Sequence, residues 1–360
     1  MICFAWKGLP QYAARCIAAF SRESTEKVVV VATRPAVPIK GMDEIVPGGV
    51  IWVDNDGLAS LPELFGEVPG TLIASGWSVP QFNRFRDEVR IAGGRVFAMS
   101  DGNVASCVAT FLRAIRFRVF LRNKYDGFFV PGLAGRCLFR AFGVPREKVA
   151  TGMYAADDAL FHDGLPLTAR PKRMVFVGRF HPVKNTMRMC EAFLRSGAVA
   201  SGWTLDLFGC GELQGDLERF AQRCPSVRVH GFLQPDALAE VYREARVFIL
   251  PSTTEPWGLV VHEAALSGCV LLLSDRVGAA MDLLSNKNGL SFSPRSVRAM
   301  TRAIRKAMQM QDEELLEAQR ESVRMAHENV GVGCFVKGVS RLVYGDFKGG
   351  QGKAVHIVRC

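Results

Sequence analysis

Short apolar runs alternate with helical stretches along most of this chain, and that rhythm constrains its fold more than any other feature. Strand-like runs at ICFAW, KVVVVAT, VIWVD, TLIAS, RVFAMS and GFFVPG are separated by helical segments near 10–21, 79–92, 104–122 and 133–143. Strands that alternate with helices wind a parallel sheet. The rhythm breaks at HDGLPLTARPKR, 162–173, whose glycine, prolines and charged groups read as a linker. It resumes with RMVFVG, TLDLFG, VRVHG, VFILPS and VLLLSD, with helices near 185–196, 213–223, 236–245 and 258–267. A chain of 360 residues exceeds one ordinary core. The expectation is an α/β protein of two Rossmann-like, doubly wound domains, 1–165 and 166–330, with a cleft between them. A last helix, 332–344, carries Phe335, Val339, Leu342 and Val343 at i, i+4, i+7 and i+8, a stripe that must be buried.

Composition narrows the function. The longest apolar runs, such as CVLLLS, fall far short of the roughly 18 residues that span a bilayer, and MICFAWKGLP reads as a first strand and not a signal peptide. Ten cysteines without a C-x-x-C pair read as reduced core residues and argue against structural zinc. A cytoplasmic location follows. The formal charge of +10 favours a polyanionic partner. Nucleic acid is set aside, because aromatic residues do not interleave with Lys and Arg as a stacking platform requires. GGQGK, 349–353, lacks the spacing of a phosphate-binding loop.

Ligands of open α/β sheets bind beyond the carboxyl ends of strands, which directs attention to three loops of the second half. In FVGRFHPVKN, Gly178 and Arg179 end a strand and Lys184 stands just before a helix, an arrangement suited to a diphosphate; pairing with surface acids is the alternative. In LFGCGEL, Gly209 and Gly211 permit close approach of a ligand or form a tight turn, and the spacing fails as a dinucleotide fingerprint. PSTTEPWGLVVHEAALSG sets two carboxylates, Glu255 and Glu263, in an otherwise apolar run, where a buried acid needs a partner. Gly258 would open a helix whose first N–H groups face a negative ligand, and carboxylates accept hydrogen bonds from sugar hydroxyls.

These loops, with VHGFLQPDALAEVYREARVFILPS and SDRVGAAMDLL, make the chain resemble the family 4 glycosyltransferases of the GT-B fold. The resemblance implies that Arg179 and Lys184 neutralise the diphosphate of a nucleotide-sugar donor, Glu255 holds the donor sugar and Glu263 the ribose. It implies further that the backbone near Gly258, Leu259 and Val260 contacts phosphate or sugar, and that Phe232 and Leu233 cradle the base. Gly178, Gly209 and Gly8 join the donor-binding set. The helix 332–344 would pack back on the first domain. Retention of configuration, no metal or other cofactor, a glycan or lipid-linked acceptor and a role in bacterial surface polysaccharide are also implied.

Two departures stand in the first half: Lys7-Gly8 where many members have a glycine pair, and FAMSDGN where many have a histidine. Asp101 would take that histidine's place at the donor sugar or cap the helix starting near 104. They keep two rivals open, a sugar-nucleotide epimerase on the same architecture and a degenerate transferase kept as a binding module.

Asp54 and Asp56 in VDNDG form a pair that could hold a divalent cation, but acids after a strand are usually turn residues. FLRAIRFRVFLRNK, 111–124, distributes Arg113, Arg116 and Lys124 on one side and Arg118 and Arg122 on the other, leaving no clean apolar face. A peripheral contact with an anionic membrane at its inner face, or a solvated basic surface, are both compatible with it. His262 reads as a packed or solvent-edge residue.

Overall fold

The computed structural model describes residues 1–35, 42–102 and 107–345. The chain forms two compact units, residues 1–155 with the segment from Val332 on, and residues 156–331. In the first, strands β1 (Ile2–Trp6), β2 (Val28–Ala32), β3 (Ile51–Trp52), β4 (Thr71–Ser75), β5 (Arg95–Met99), β6 (Gly127–Val130) and β7 (Val149–Thr151) form a parallel sheet in the order β3-β2-β1-β4-β5-β6-β7. The helices are α1 (Gln11–Glu23), α2 (Met42–Ile45), α3 (Leu61–Phe65), α4 (Pro80–Ile91), α5 (Cys107–Phe120) and α6 (Leu133–Ala141).

The strands read as continuous apolar runs because both faces of the sheet are covered. Ile2, Phe4 and Trp6 of β1 face one core with residues of α1. Cys3 and Ala5 face the other, with Phe82, Phe85, Phe117 and Phe139.

In the second unit, β8 (Arg173–Val177), β9 (Thr204–Phe208), β10 (Val227–His230), β11 (Val247–Leu250), β12 (Val270–Ser274) and β13 (Gly289–Phe292) are parallel in the order β10-β9-β8-β11-β12-β13. Their helices are α7 (Thr186–Arg195), α8 (Gln214–Arg223), α9 (Pro235–Glu244), α10 (Leu259–Leu266), α11 (Ala280–Leu283), α12 (Val297–Met308) and α13 (Asp312–Asn329). Both sheets are doubly wound.

The break between units falls at residue 155 and not near 165. The stretch that reads as a linker is tied into the second unit: the Leu167 N–H donates to Gln319 Oε1 at 2.8 Å, and the buried Arg170 guanidinium donates to the Ala245 carbonyl at 2.9 Å. Its polarity serves an internal arginine, which sequence alone does not distinguish from a solvated connector.

The last helix, α14 (Val332–Tyr344), lies in the first unit. Phe335, Val339, Leu342 and Val343 are all buried, and the Phe335 ring stacks on Phe4 with centroids 6.2 Å apart. Gly338 sets how closely the helix lies on the sheet, since a Cβ there would fall 2.4 Å from the Thr151 carbonyl oxygen and 2.7 Å from the Phe129 ring.

Candidate functional site

Strand order in the second sheet reverses between β8 and β11, so the loops leaving their carboxyl ends diverge around a crevice, where ligands of open α/β sheets bind. After β8 the chain makes a 3-10 turn at Pro182–Lys184 and then a left-handed residue, Asn185, at φ 59°. Asn185 donates through Nδ2 to the carbonyls of Pro251 at 3.2 Å and Pro294 at 2.9 Å, and the Thr253 N–H donates to the Val183 carbonyl at 2.8 Å. These bonds fasten the β8 loop to the β11 loop and bring their charged side chains together.

Lys184 Nζ donates to Glu255 Oε2, which also accepts from Ser252 Oγ at 3.2 Å. The side chains of Lys184 and Glu255 are only 16% and 11% exposed. Glu255 is therefore a buried acid with a cation and a hydroxyl as partners, the condition under which burial is tolerated. Its backbone is held too: its N–H donates to the Arg276 carbonyl at 3.1 Å and its carbonyl accepts from Gly278 at 3.0 Å. Gly258, three residues on, adopts φ 92°, where a side chain would be strained and its Cβ would meet Glu255 Cγ at 3.2 Å. That glycine opens α10, and the N–H groups of the following turn, at Leu259 and Val260, have no acceptor within the helix.

Glu263 lies one turn inside α10. Tyr242 Oη, from α9, donates to its Oε2 at 3.1 Å. Burial pushes the Glu263 carboxyl up to about 7 despite the opposing pull of that hydrogen bond. Burial also holds the Tyr242 hydroxyl well above its ordinary range. The neighbouring His262 is a packed residue: Nδ1 accepts from the Ala156 N–H at 3.0 Å, Nε2 faces the Ala326 carbonyl at 3.2 Å, and burial pushes the imidazole down to about 3. These partners assign the proton to Nε2, so the ring is neutral and braces the start of the unit against α13.

The glycines after β8 and β9 serve each other. A Cβ on Gly209 would fall 2.1 Å from the Gly178 carbonyl oxygen, and one on Gly211 would fall 2.7 Å from that of Phe180. What approaches closely here is protein backbone. Arg179 is exposed beside them. Phe232 and the partly buried Leu233 follow edge strand β10, and Phe232 remains 54% exposed, a large apolar side chain presented to solvent. Behind them, the fully buried Asp206 accepts from Arg173 Nε at 2.8 Å and lies 2.7 Å from His230 Nε2, whose ring stacks on Phe208.

Gly8 and Asp101 belong to the first unit. Gly8 adopts φ 58° after β1 and donates its N–H to Thr33 Oγ1 at 2.8 Å. The exposed Asp101 accepts from Tyr154 Oη at 3.3 Å; residues 103–106, on which a capping role for it depends, lie outside the described residues, as does GGQGK. Asp54 and Asp56 are exposed in a turn closed by the Gly57 N–H on the Asp54 carbonyl. Ser252, Tyr242, Asp206 and His230 were given no role by the sequence reading, although Ser252 stands three residues before Glu255 and His230 and Tyr242 fall within VHGFLQPDALAEVYREARVFILPS.

Known proteins share this fold. Over 95% of this chain and 99% of theirs, the structure superposes on that of HepE from Anabaena in complex with UDP and glucose, with a TM-score of 0.71 at 15% identity. Sucrose-phosphate synthase from Thermosynechococcus elongatus superposes over 96% of this chain and 98% of its own, with a TM-score of 0.70 at 16% identity. The fold is GT-B. Within this GT-B chain, residues 158–325, most of the second unit, match the family model of glycosyl transferases group 1. Glycogen synthase of Mycobacterium tuberculosis is 30% identical over 141 residues, 38% of this chain and 34% of that protein. Sulfoquinovosyl transferase SQD2 of Arabidopsis thaliana is 37% identical over 93 residues, 25% of this chain and 18% of that protein. These alignments span about a third or less of the curated relatives' length. Among the described residues no helix is long and apolar enough to cross a membrane.

Proposed function

We propose that the protein is a glycosyltransferase that moves a sugar from a nucleotide-diphosphate sugar to a glycan or lipid-linked acceptor, with retention of configuration and without a metal. The observation that carries this reading is the Lys184–Glu255 pair at the point where strand order reverses, beside the N-terminus of α10 and one turn from Glu263. The second unit then receives the donor and the first unit the acceptor. Lys184 and the exposed Arg179 balance the charge of the leaving diphosphate, together with the first N–H groups of α10. Glu255 accepts hydrogen bonds from the transferred sugar and Glu263 from the ribose. Phe232 and Leu233 lie against the base. The ion pair gives each partner a second role: before the donor binds, Lys184 and Glu255 hold each other in place. In this mechanism the protein orients the reactants and stabilises the leaving group, and a donor phosphate oxygen assists deprotonation of the acceptor. A place in surface polysaccharide or glycoconjugate synthesis is the further proposal.

The test is a thermal-shift panel of UDP, GDP, ADP and CMP in excess EDTA, followed by product analysis with the matching nucleotide sugar. A ligand at about 100 times its dissociation constant adds roughly 2.7 kcal/mol to the folded state. A shift with one nucleoside diphosphate in EDTA, and sugar appearing on an acceptor, is the expected result. A shift only with Mn²⁺ or Mg²⁺ overturns the metal-free mechanism, an epimerised donor without transfer overturns the reaction, and binding without turnover reduces the protein to a binding module.

A further inference from the structure

The outer surface of α5 carries several large apolar side chains exposed to solvent. Thr110, Ala114 and Phe117 face inward, the last with its ring 5.3 Å from Phe128 and 5.0 Å from Phe142. That burial leaves Phe111, Leu112, Ile115, Val119 and Phe120 outside, each between 46% and 67% exposed. At about 100° per residue, Phe111, Ile115, Val119 and Leu112 form one ridge opposite the buried stripe, with Arg118 along one flank and Arg113 and Arg116 along the other. No clean apolar face is visible in this segment because it holds two apolar stripes, and only the fold tells which of them is covered. Beside the ridge, Trp77, Leu112, Ile115, Phe120 and Lys124 line an open groove of about 770 Å³.

The charge around this ridge is of one sign. Residues 102–125 contain Arg113, Arg116, Arg118, Arg122 and Lys124 and no Asp or Glu. Of the acids next to that region, Asp87 pairs with Arg86 at 2.8 Å and Asp126 with Arg90 at 3.4 Å, and the exposed Asp101 accepts from the Tyr154 hydroxyl at the region's start. An apolar ridge with cationic flanks and long side-chain stems matches a surface that is apolar at depth and anionic at the headgroups. A second copy of the same face would set these cations against one another.

We propose that the outer face of α5 docks the protein on an anionic phospholipid bilayer, with Phe111, Ile115 and Val119 inserted at the acyl boundary and Arg116 and Lys124 on lipid phosphates. This goes beyond the proposed transfer reaction and is measured without donor or acceptor. The full chain is sedimented with vesicles of phosphatidylglycerol and phosphatidylcholine, and with phosphatidylcholine alone. The expected result is partition onto the anionic vesicles that falls as salt rises, with little on the neutral ones. Ile115→Glu/Val119→Glu should lower the partition coefficient on the order of tenfold or more while leaving Tm and the nucleotide-induced shift unchanged. Arg116→Glu/Lys124→Glu, which leaves the ridge intact, should lose the anionic preference independently. Absence of wild-type partition, equal partition onto both vesicle types, or undiminished partition of both variants overturns the proposal. So does a wild-type dimer that Ile115→Glu/Val119→Glu dissociates, which makes a second copy the occupant.

Discussion

Replacing Glu263 by Gln keeps the shape of the side chain and an acceptor for Tyr242 Oη while removing the ionisable group, which isolates what that carboxyl costs the fold. Burial raises its pKa from 4.5 to about 7. An acid with a raised pKa keeps its proton in the folded chain at a pH where the unfolded chain has released it. Stability therefore falls as pH rises from about 4.5 through about 7, and levels off above. Each pH unit of that gap corresponds to about 1.4 kcal/mol, so the full cost is on the order of 3 kcal/mol, with most of it developing between pH 5 and pH 8. Wild type and Glu263→Gln should have similar stability at pH 5. At pH 8 the variant should be ahead by on the order of 2–3 kcal/mol, roughly 5–10 °C in Tm for a unit of this size. Thermal unfolding followed by circular dichroism at both pH values reads this directly, because every other titrating group is common to the two proteins. If the proposed function is right, the stabilised variant also loses much of its nucleotide-induced shift, a functional carboxylate held at the expense of the fold. A stability difference that stays constant from pH 5 to pH 8 would refute the argument, since it would mean that the carboxyl titrates alike in folded and unfolded chains.

Two further outcomes follow from packing. Lys184→Met removes the Lys184 cation from Glu255 and should destabilise the chain by about 1–3 kcal/mol in urea titration, whereas Lys184→Met/Glu255→Gln should recover most of that; an unchanged midpoint in the single variant would show the pair to be solvent-screened. Gly338→Val places atoms where the Thr151 carbonyl and Phe129 ring already stand, and should lower stability by about 2 kcal/mol or more in the same titration; an unchanged midpoint would mean that α14 does not lie on the sheet at that distance.

The elements most legible in sequence are those whose burial is two-sided. All of β1–β6 and β8–β12 stand where the sequence placed strands, and central ones such as β1, β4, β11 and β12 stand out because a strand covered on both faces has no polar alternation to obscure it, whereas β3 and β10, at the edges, are partly exposed. The two strands missed, β7 and β13, are edge strands of three and four residues, VAT and GLSF, too short and too polar to stand out. The 162–173 stretch misleads for the opposite reason: a linker and a buried arginine with its carbonyl acceptors present the same letters.

The site divides along the same line. Residues that act through local backbone are visible in the sequence, as Gly258 is, because a left-handed residue opening a helix has a one-dimensional signature. Pairings that depend on strand order are not. Lys184 and Glu255 are 71 residues apart, and Tyr242 and Glu263 are 21 apart. Lys184 meets Glu255 only because β11 lies beside β8, on the opposite side from β9. That adjacency resolves why two carboxylates stand in an apolar run: one is matched by a lysine from the neighbouring loop, and the other, partly buried, takes a tyrosine hydroxyl as its partner and is pushed up to about 7 by its surroundings. An ionised carboxylate held there costs stability, and hydroxyl donors from a ligand would relieve it.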